Sequence, residues 1–273
     1  MISLVALGSG SGGNAFLLDT PDGVLMIDAG FSARELARRA GAVGVDLQRI
    51  TAIVLTHEHG DHASGARRLA GQLGIPVVAT EGTLRALGLD PAAPRVALRT
   101  ASITEVGPFA IESCRILHDA AEPTAVAVEA AGVRIGLAYD LGRPTVGLRH
   151  LLRGCDGIVL EANYDEVMLR TSDYPASVQH RIAGSGGHLS NRAAGELLGD
   201  LWHEDLSVVV LAHLSRQCNE AEVARRTVAV LLDARGFRGT IAVATQDAPL
   251  GPVPVAPGPA KLRLTAQAEL ELF

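Results

Sequence analysis

Residues 56–62 read Thr-His-Glu-His-Gly-Asp-His, directly after the apolar run Ala52-Ile53-Val54-Leu55. Three imidazoles and two carboxylates this close together make a dense set of nitrogen and oxygen donors, the kind that zinc, manganese or iron accepts. A single histidine at the end of an apolar run is ordinarily a polar loop residue. His57, His59, Asp61 and His62 together point to a metal site, because donor clusters at this spacing are among the more specific short signals. No cysteine lies nearby, which argues against a closed thiolate structural site. Glu58 is expected to face solvent or to brace the loop.

Such donors need a frame. The apolar run before them reads as a buried strand ending at Thr56. Upstream, Ile2 to Leu7, Ala15 to Asp19 and Val24 to Asp28 read as short strands, joined by a glycine-rich loop and then by the turn Thr20-Pro21-Asp22-Gly23. Ser32, with Glu35 three residues on, predicts a capping box and a helix through Arg39. A second helix, roughly Ala63 to Leu73, leaves the histidine cluster. Apolar runs at Val96 to Leu98, Phe109 to Leu117, Ala125 to Glu129 and Val133 to Ala138 predict a further set of strands. The chain then alternates: a helix near Pro144 to Leu152, strand Gly157 to Glu161, helix Ser190 to Leu198, strand Val208 to Ala212, helix Glu220 to Ala234 and strand Thr240 to Ala244. Two sheets covered by helices on their outer faces bury this pattern economically, an α/β (α+β) sandwich. Pro249 to Pro259, Pro-Leu-Gly-Pro-Val-Pro-Val-Ala-Pro-Gly-Pro, reads as an extended linker. The expected organisation is one domain over residues 1–247 and a linker with a C-terminal peptide over residues 248–273.

Composition agrees with a soluble globular chain: 273 residues, 48% hydrophobic and 20% charged, enough for a substantial core. The formal net charge of −6 excludes the global basic excess of proteins that coat nucleic acid nonspecifically, and leaves room for a local basic or metal-lined groove. Cys114, Cys155 and Cys218 are odd in number and widely spaced, which argues against a disulfide framework and for the cytoplasm. The start, Met-Ile-Ser-Leu-Val-Ala-Leu-Gly, lacks a basic region and its apolar run is too short for a signal or a membrane span.

The signature His57-x-His59-x-Asp61-His62 resembles that of the metallo-β-lactamase fold, which implies an αββα sandwich of two mixed sheets flanked by helices. It also implies further ligands at strand ends, and Asp28, His118, Asp140 and His213 each follow an apolar run in the required order. By this resemblance His57, His59 and His118 hold one divalent ion, Asp61, His62 and His213 hold a second, and Asp140 bridges them. Asp28 orients histidines or the loop without binding metal. The implied chemistry is a metal-bridging hydroxide as nucleophile, with Asp61 both ligating and orienting it, and with zinc or manganese as the metal.

The fold alone serves lactam, thioester, lactone and phosphodiester hydrolysis, so substrate must be read elsewhere. The loop Gly8-Ser9-Gly10-Ser11-Gly12-Gly13-Asn14 could cradle a phosphate with its backbone amides, or simply be a tight turn. Further on, Ser190 can cap a helix and leave His188 free in the loop before it, where Ser190 and Asn191 would face an anion. Several separated stretches together, from Gly8 to about Ser215, resemble the YycJ/WalJ-like metallo-hydrolases, relatives of RNase Z described as 5′-to-3′ DNA exonucleases. They are GSGSGGNA, LTHEHGDHASG, HDAAEP, YDLG, EANYDEVMLR, YPASVQHRI, GGHLSN and LAHLS. The resemblance implies DNA as partner, with RNA also open, and a place in DNA repair. It makes His188 the counterpart of a histidine that faces the scissile phosphate in RNase Z enzymes, a general acid or phosphate ligand. His180, followed by Arg181, could meet the nucleic-acid backbone or simply lie on a solvated helix face, and Arg143, Arg170 and Arg192 are candidate phosphate contacts on the same footing. Asp140 and His213 are too close in sequence for the large inserted domain of RNase J-type enzymes.

Two residues depart from the family pattern: Tyr164 stands where histidine is expected, and Cys218 at a usually polar position. The tail, Glu269, Leu270, Glu271, Leu272 and Phe273, resembles a peptide with which bacterial DNA-processing proteins bind the sliding clamp. Read without that resemblance, it is a final edge strand. A small-molecule thioester or lactone hydrolase of the same fold is the competing reading. A nonhydrolytic regulatory or binding protein is a remoter one.

Overall fold

The computed structural model describes residues 1–258, and these form two seven-stranded sheets packed face to face with helices on both outer surfaces. In the first sheet, β1 (Ile2–Gly8), β2 (Ala15–Thr20) and β3 (Gly23–Ile27) form an antiparallel meander. Beside β3 come β4 (Ile50–Val54), β5 (Val77–Thr80) and β6 (Arg95–Leu98), all parallel to it. The crossovers carry helices: α1 (Ala33–Ala42), then α2 (Gly60–Ala63) and α3 (Ala66–Leu73), then α4 (Glu81–Leu87). The second sheet repeats this plan with β7 (Thr104–Val106), β8 (Phe109–Arg115), β9 (Thr124–Ala130) and β10 (Val133–Ala138) antiparallel. It continues with β11 (Gly157–Glu161), β12 (Val208–Ala212) and β13 (Thr240–Val243) in parallel. Here the crossovers are α5 (Val146–Leu152), the series α6 (Glu166–Arg170), α7 (Ala176–Ala183) and α8 (Asn191–Leu201), and α9 (Ala221–Asp233).

Period-two alternation sorts the strand residues into layers. Leu4, Phe16, Leu18, Leu25 and Ile27 face Phe109, Ile111, Val126, Val128 and Leu137 across the gap between the sheets. The opposite faces of the strands pack on helices: Leu17, Met26 and Ile53 against Leu36 and Leu69, and Ile158, Leu160 and Val209 against Leu197, Leu198 and Val228. The expected αββα sandwich is thereby formed.

Three expectations about elements need correction. The proline-rich segment is no free linker: β14 (Leu250–Val255) pairs antiparallel with β1, and Val255 is fully buried in the core. Pro252 and Pro254 point outward while Val253 and Val255 point in, and an edge strand tolerates the missing amide donors. The domain therefore runs past residue 247. The single helix expected after the histidines is two, α2 and α3, broken at Ser64-Gly65. There the chain passes so close to Phe31 that a Cβ on Gly65 would lie 2.0 Å from its carbonyl oxygen. At α1, the Ser32 hydroxyl accepts from the Glu35 amide as a cap should, but the Glu35 carboxylate turns to Arg38 and Arg39. Residues 259–273, and with them the clamp-like tail, lie outside the described residues.

Candidate metal centre

All the parallel strands end on the same edge of the sandwich, and the candidate ligands sit just beyond those ends. Asp28 follows β3, His57 follows β4, Asp140 follows β10 and His213 follows β12. His118 follows β8, which runs parallel to β10 through its shared neighbour β9. Asp28, Asp140 and His213 each adopt a left-handed backbone, with φ of 57°, 57° and 55°. Non-glycine residues pay for that conformation, and it turns the chain sharply out of the strand so that the side chain points across the sheet edge.

The ligand loops interlock through backbone hydrogen bonds. Asn14 N donates to the Asp61 carbonyl at 2.7 Å, Ala29 N to that of His62 at 2.7 Å, and Gly30 N to that of Asn14 at 2.9 Å. No side chain fits at Gly30, where a Cβ would lie 1.7 Å from the Asp61 oxygen.

Two buried carboxylates, one from each sheet, orient the histidines. Asp28 accepts from Thr56 N and the Thr56 hydroxyl at 2.8 Å, from Tyr139 OH at 2.9 Å and from His62 Nδ1 at 2.6 Å. With the Thr56 proton committed to Asp28, its oxygen is left to accept from His57 Nδ1, 3.1 Å away. Nδ1 of each ring is thus engaged from behind, and Nε2 of both His57 and His62 is left toward the cluster, the atom through which a metal would be held. Glu161, which the sequence reading passed over, does the same in the second sheet. It is fully buried and accepts from His188 Nδ1 at 2.8 Å, His213 Nδ1 at 2.9 Å, Leu141 N at 3.0 Å and Leu189 N at 3.1 Å.

The donor atoms fall into close groups. Ligand atoms of His57, His59 and His118 lie within 4.8 Å of one another, as do those of Asp61, His62 and His213. Those of His57, His62 and Asp140 do so too, which sets Asp140 between the first two groups. The set fits divalent cations: His118 Nδ1 and His213 Nε2 are buried without a hydrogen-bond partner, which is costly unless something electrophilic meets them.

Charge tells the same story. Burial drives the His57 pKa down to about 2, helped by neighbouring His62, so this imidazole stays neutral and free to ligate. His118 is lowered for the same first reason. Burial opposes charge on His62 as well, but Asp28 and Asp140 outweigh it and raise its pKa well above the usual value. Burial likewise opposes charge on His188, and Glu161, with Asp140 and Asp61 beyond it, raises it to about 9. Asp140 and Glu161 are both lowered, burial being overcome by the histidines around each.

Some sequence assignments need correction. Ser9, Gly10, Gly12, Gly13 and Asn14 do not line a phosphate cradle. The Ser9 hydroxyl accepts from His213 N and donates to Asn14 Oδ1, each at 2.8 Å, and Gly12 N donates to Gln246 Oε1. Asn14 Nδ2 in turn lies 3.1 Å from His62 Nε2. This loop locks ligands in place, and of its residues only Ser11 reaches the cleft. Ser190 and Asn191 are also buried. Ser190 caps α8 at Ala193 N and bonds Glu166, while Asn191 pairs with Asn219. His188 is anchored by Glu161 and is not free. Asn163, also unremarked in the sequence, holds the His213 carbonyl at 2.7 Å. The two departures from the family pattern are neighbours: Tyr164 and Cys218 pack with Leu169 in one small apolar cluster. Arg192 is engaged with Glu196, and Arg143 and Arg170 lie outside the cleft.

The site opens into a cleft of about 580 Å³ lined by His59, Asp61, His118, Asp140, His188 and His213, with Ser11, Asp119, Arg181 and the turn Gly184–Gly187 on its walls. Residues 8–160 match the model of the metallo-beta-lactamase superfamily. The chain belongs to that superfamily. Within it, the chain is 32% identical over 235 residues to exodeoxyribonuclease YycJ of Bacillus anthracis, covering 85% of this chain and 89% of that relative. Exodeoxyribonuclease WalJ of Streptococcus pneumoniae is 30% identical over 228 residues, covering 81% and 85%. The crystal structure of the metallo-beta-lactamase fold protein YhfI from Bacillus subtilis superposes with a TM-score of 0.69 at 17% identity, over 92% of this chain and 99% of that one, a likeness of fold. No helix among the described residues is long and apolar enough to cross a membrane.

Proposed function

We propose that this chain is a dinuclear metal-dependent phosphodiesterase that degrades DNA from the 5′ end. The observation that carries the proposal is the pair of donor groups, His57-His59-His118 and Asp61-His62-His213, joined by Asp140 and opening on a cleft with His188 at its wall. Exodeoxyribonuclease-named relatives across most of the chain support the substrate class. Two divalent cations, zinc or manganese, when bound supply water activation at neutral pH and neutralise charge on the phosphate.

The protein residues then have separable tasks. Asp140 lies between the two donor groups and would be shared by both cations, and Asp61, on the open side, would orient the attacking water. His188 is held through Nδ1 by Glu161, so its Nε2 side remains to meet the phosphate or to give a proton to the departing 3′ oxygen as the P–O bond breaks. A thioester or lactone hydrolase shares the ligands but leaves His188 and the cationic Arg181 without a task. A place in DNA repair in the cytoplasm belongs to the same proposal. So does clamp binding through Glu269, Leu270, Glu271, Leu272 and Phe273, which requires that deleting Leu270 to Phe273 abolish clamp pull-down.

The test is incubation of the metal-loaded chain with 5′- and 3′-labelled DNA and RNA beside thioester and lactone substrates. DNA shortened from its 5′ end is expected, and turnover of the small esters alone overturns the proposal. His188→Ala is expected to lower kcat strongly on DNA with metal content retained. Full activity in that variant removes the role given to His188.

A further inference from the structure

On the cleft wall facing the ligands, α7 carries Arg181 in its last turn and passes into the turn Gly184-Ser185-Gly186-Gly187. Arg181 is the one lysine or arginine lining the cleft. Its guanidinium is exposed and makes no hydrogen bond or ion pair with any described residue. The turn is closed by Gly187 N donating to the Gly184 carbonyl at 2.9 Å, which leaves Ser185 and Gly186 at its corners. Their amides have no partner among the described residues, and both residues are exposed.

The turn is also built to stay put. His188 N donates to the Ile182 carbonyl at 2.8 Å, and a Cβ on Gly187 would lie 2.2 Å from that same oxygen. On the other side, a Cβ on Gly142 would lie 2.2 Å from the Gly184 oxygen, so the bare backbone at Gly142 lets the turn press onto the loop that carries Asp140. A guanidinium and unpaired turn amides lining one cleft suit a phosphate, a terminal monoester most of all, since it offers more charge and more acceptor oxygens than a diester.

Resting on the exonuclease reading above, we propose that Arg181 and the Ser185–Gly186 amides hold the terminal 5′-phosphate of the strand while the next phosphodiester lies at the metal centre. Water adds to that phosphorus, the P–O3′ bond breaks, and the 3′ oxygen takes a proton. The departing nucleotide keeps its own 5′-phosphate, and the shortened strand carries a new one. Each cycle thus recreates the group that this subsite binds.

The consequence is a kinetic signature. On a 3′-labelled strand that begins with a 5′-hydroxyl, the first nucleotide leaves slowly and every later one at the rate seen with a 5′-phosphate. The ratio of the second cleavage rate to the first isolates the subsite from metal content and folding, since both cuts are made by the same molecules. Charge-assisted hydrogen bonds of this kind make that ratio roughly 10- to 100-fold in the wild type. In R181Q the ratio falls close to one, because later cuts slow to the rate of the first. S185P deletes one amide donor at a turn position that accepts proline, after a Gly184 already extended at φ −74°, ψ 169°, and narrows the ratio, whereas S185A restores the amide and most of the ratio. Equal first and second cuts in the wild type, or an unchanged ratio in R181Q, overturn the subsite while leaving a 5′ exonuclease. Shortening from the 3′ end, or no cleavage of DNA at all, overturns the exonuclease reading itself.

Discussion

Replacing Glu161 by glutamine tests how the second sheet builds its half of the centre. Oε1 receives the Nδ1 protons of His188 and His213, and Oε2 receives the amides of Leu141 and Leu189. The amide of glutamine has one acceptor oxygen, so one of these pairs must lose. If the NH2 group faces the two backbone amides, four buried donors confront each other. If it faces the histidines, His213 must accept through Nδ1, which puts its proton on Nε2, the atom that should ligate. Either way about two hydrogen bonds to a charged acceptor are lost, each about 1.5–3 kcal/mol, so E161Q is destabilised by roughly 3–6 kcal/mol. For a domain of this size, at about 2–4 °C per kcal/mol, that is a fall in thermal midpoint of roughly 6–24 °C. Metal affinity at the Asp61-His62-His213 group should fall about 10- to 100-fold, as for other supporting carboxylates behind a ligating imidazole. Differential scanning calorimetry on the chelator-treated protein and competitive metal titration measure the two effects separately. An unchanged midpoint together with unchanged affinity would refute the assignment of Glu161 as the residue that sets the tautomer of His213.

The remaining expectations concern the ligands, the loop packing and the acid limb of stability. His118→Ala should leave one bound equivalent of metal and Asp140→Asn should weaken both, as counted by elemental analysis after dialysis; two tightly held equivalents in D140N contradict its bridging place. Gly30→Ala drives a methyl into the Asp61 carbonyl and should cost about 3 kcal/mol or more, read by urea unfolding, with activity lost as the ligand loops separate. Glu35 is held down to a pKa of about 2 by hydrogen bonds from Arg38 and then Arg39. Its contribution is therefore present above the ordinary carboxylate range and is lost as pH falls toward 2, so E35Q should unfold with a shallower pH dependence across that window. Parallel wild-type and E35Q curves would show that the pairing contributes nothing measurable.

What the sequence disclosed followed the strength of its local signals. The buried strands and the start of α8 were legible because the apolar period and the Ser190 cap agree, and the ligands were legible because each stands at or just past the end of an apolar run. β14 was hidden by composition: prolines at alternate positions look like a linker until the valines between them are counted as an inward-facing row. Ser9 and Asn14 were misread because glycine-rich loops bind phosphates in other proteins, while here the loop's polar groups are spent on His213, His62 and the Asp61 backbone. Glu161 was missed because a glutamate after Ile-Val-Leu looks like any polar strand end. The signal was present nonetheless, since β11 lies between β10 and β12 and a residue at its end must fall between Asp140 and His213.

That placement explains why two carboxylates that bind no substrate are needed so deep in the protein. Asp28 is reached by His62 directly and by His57 through Thr56, and Glu161 by His213 and His188. Each acid fixes a pair of rings from behind, one at the end of β3 and the other at the end of β11, so the two sheets contribute matched halves. A buried carboxylate left alone would be expensive, but each here accepts four hydrogen bonds, two of them at Glu161 and one at Asp28 from backbone amides that would otherwise be orphaned where strands end. The same groups therefore satisfy the chain termini of the strands and aim the imidazoles. Removing either acid cannot be a local event, because the backbone amides and the ring tautomers depend on the same oxygens.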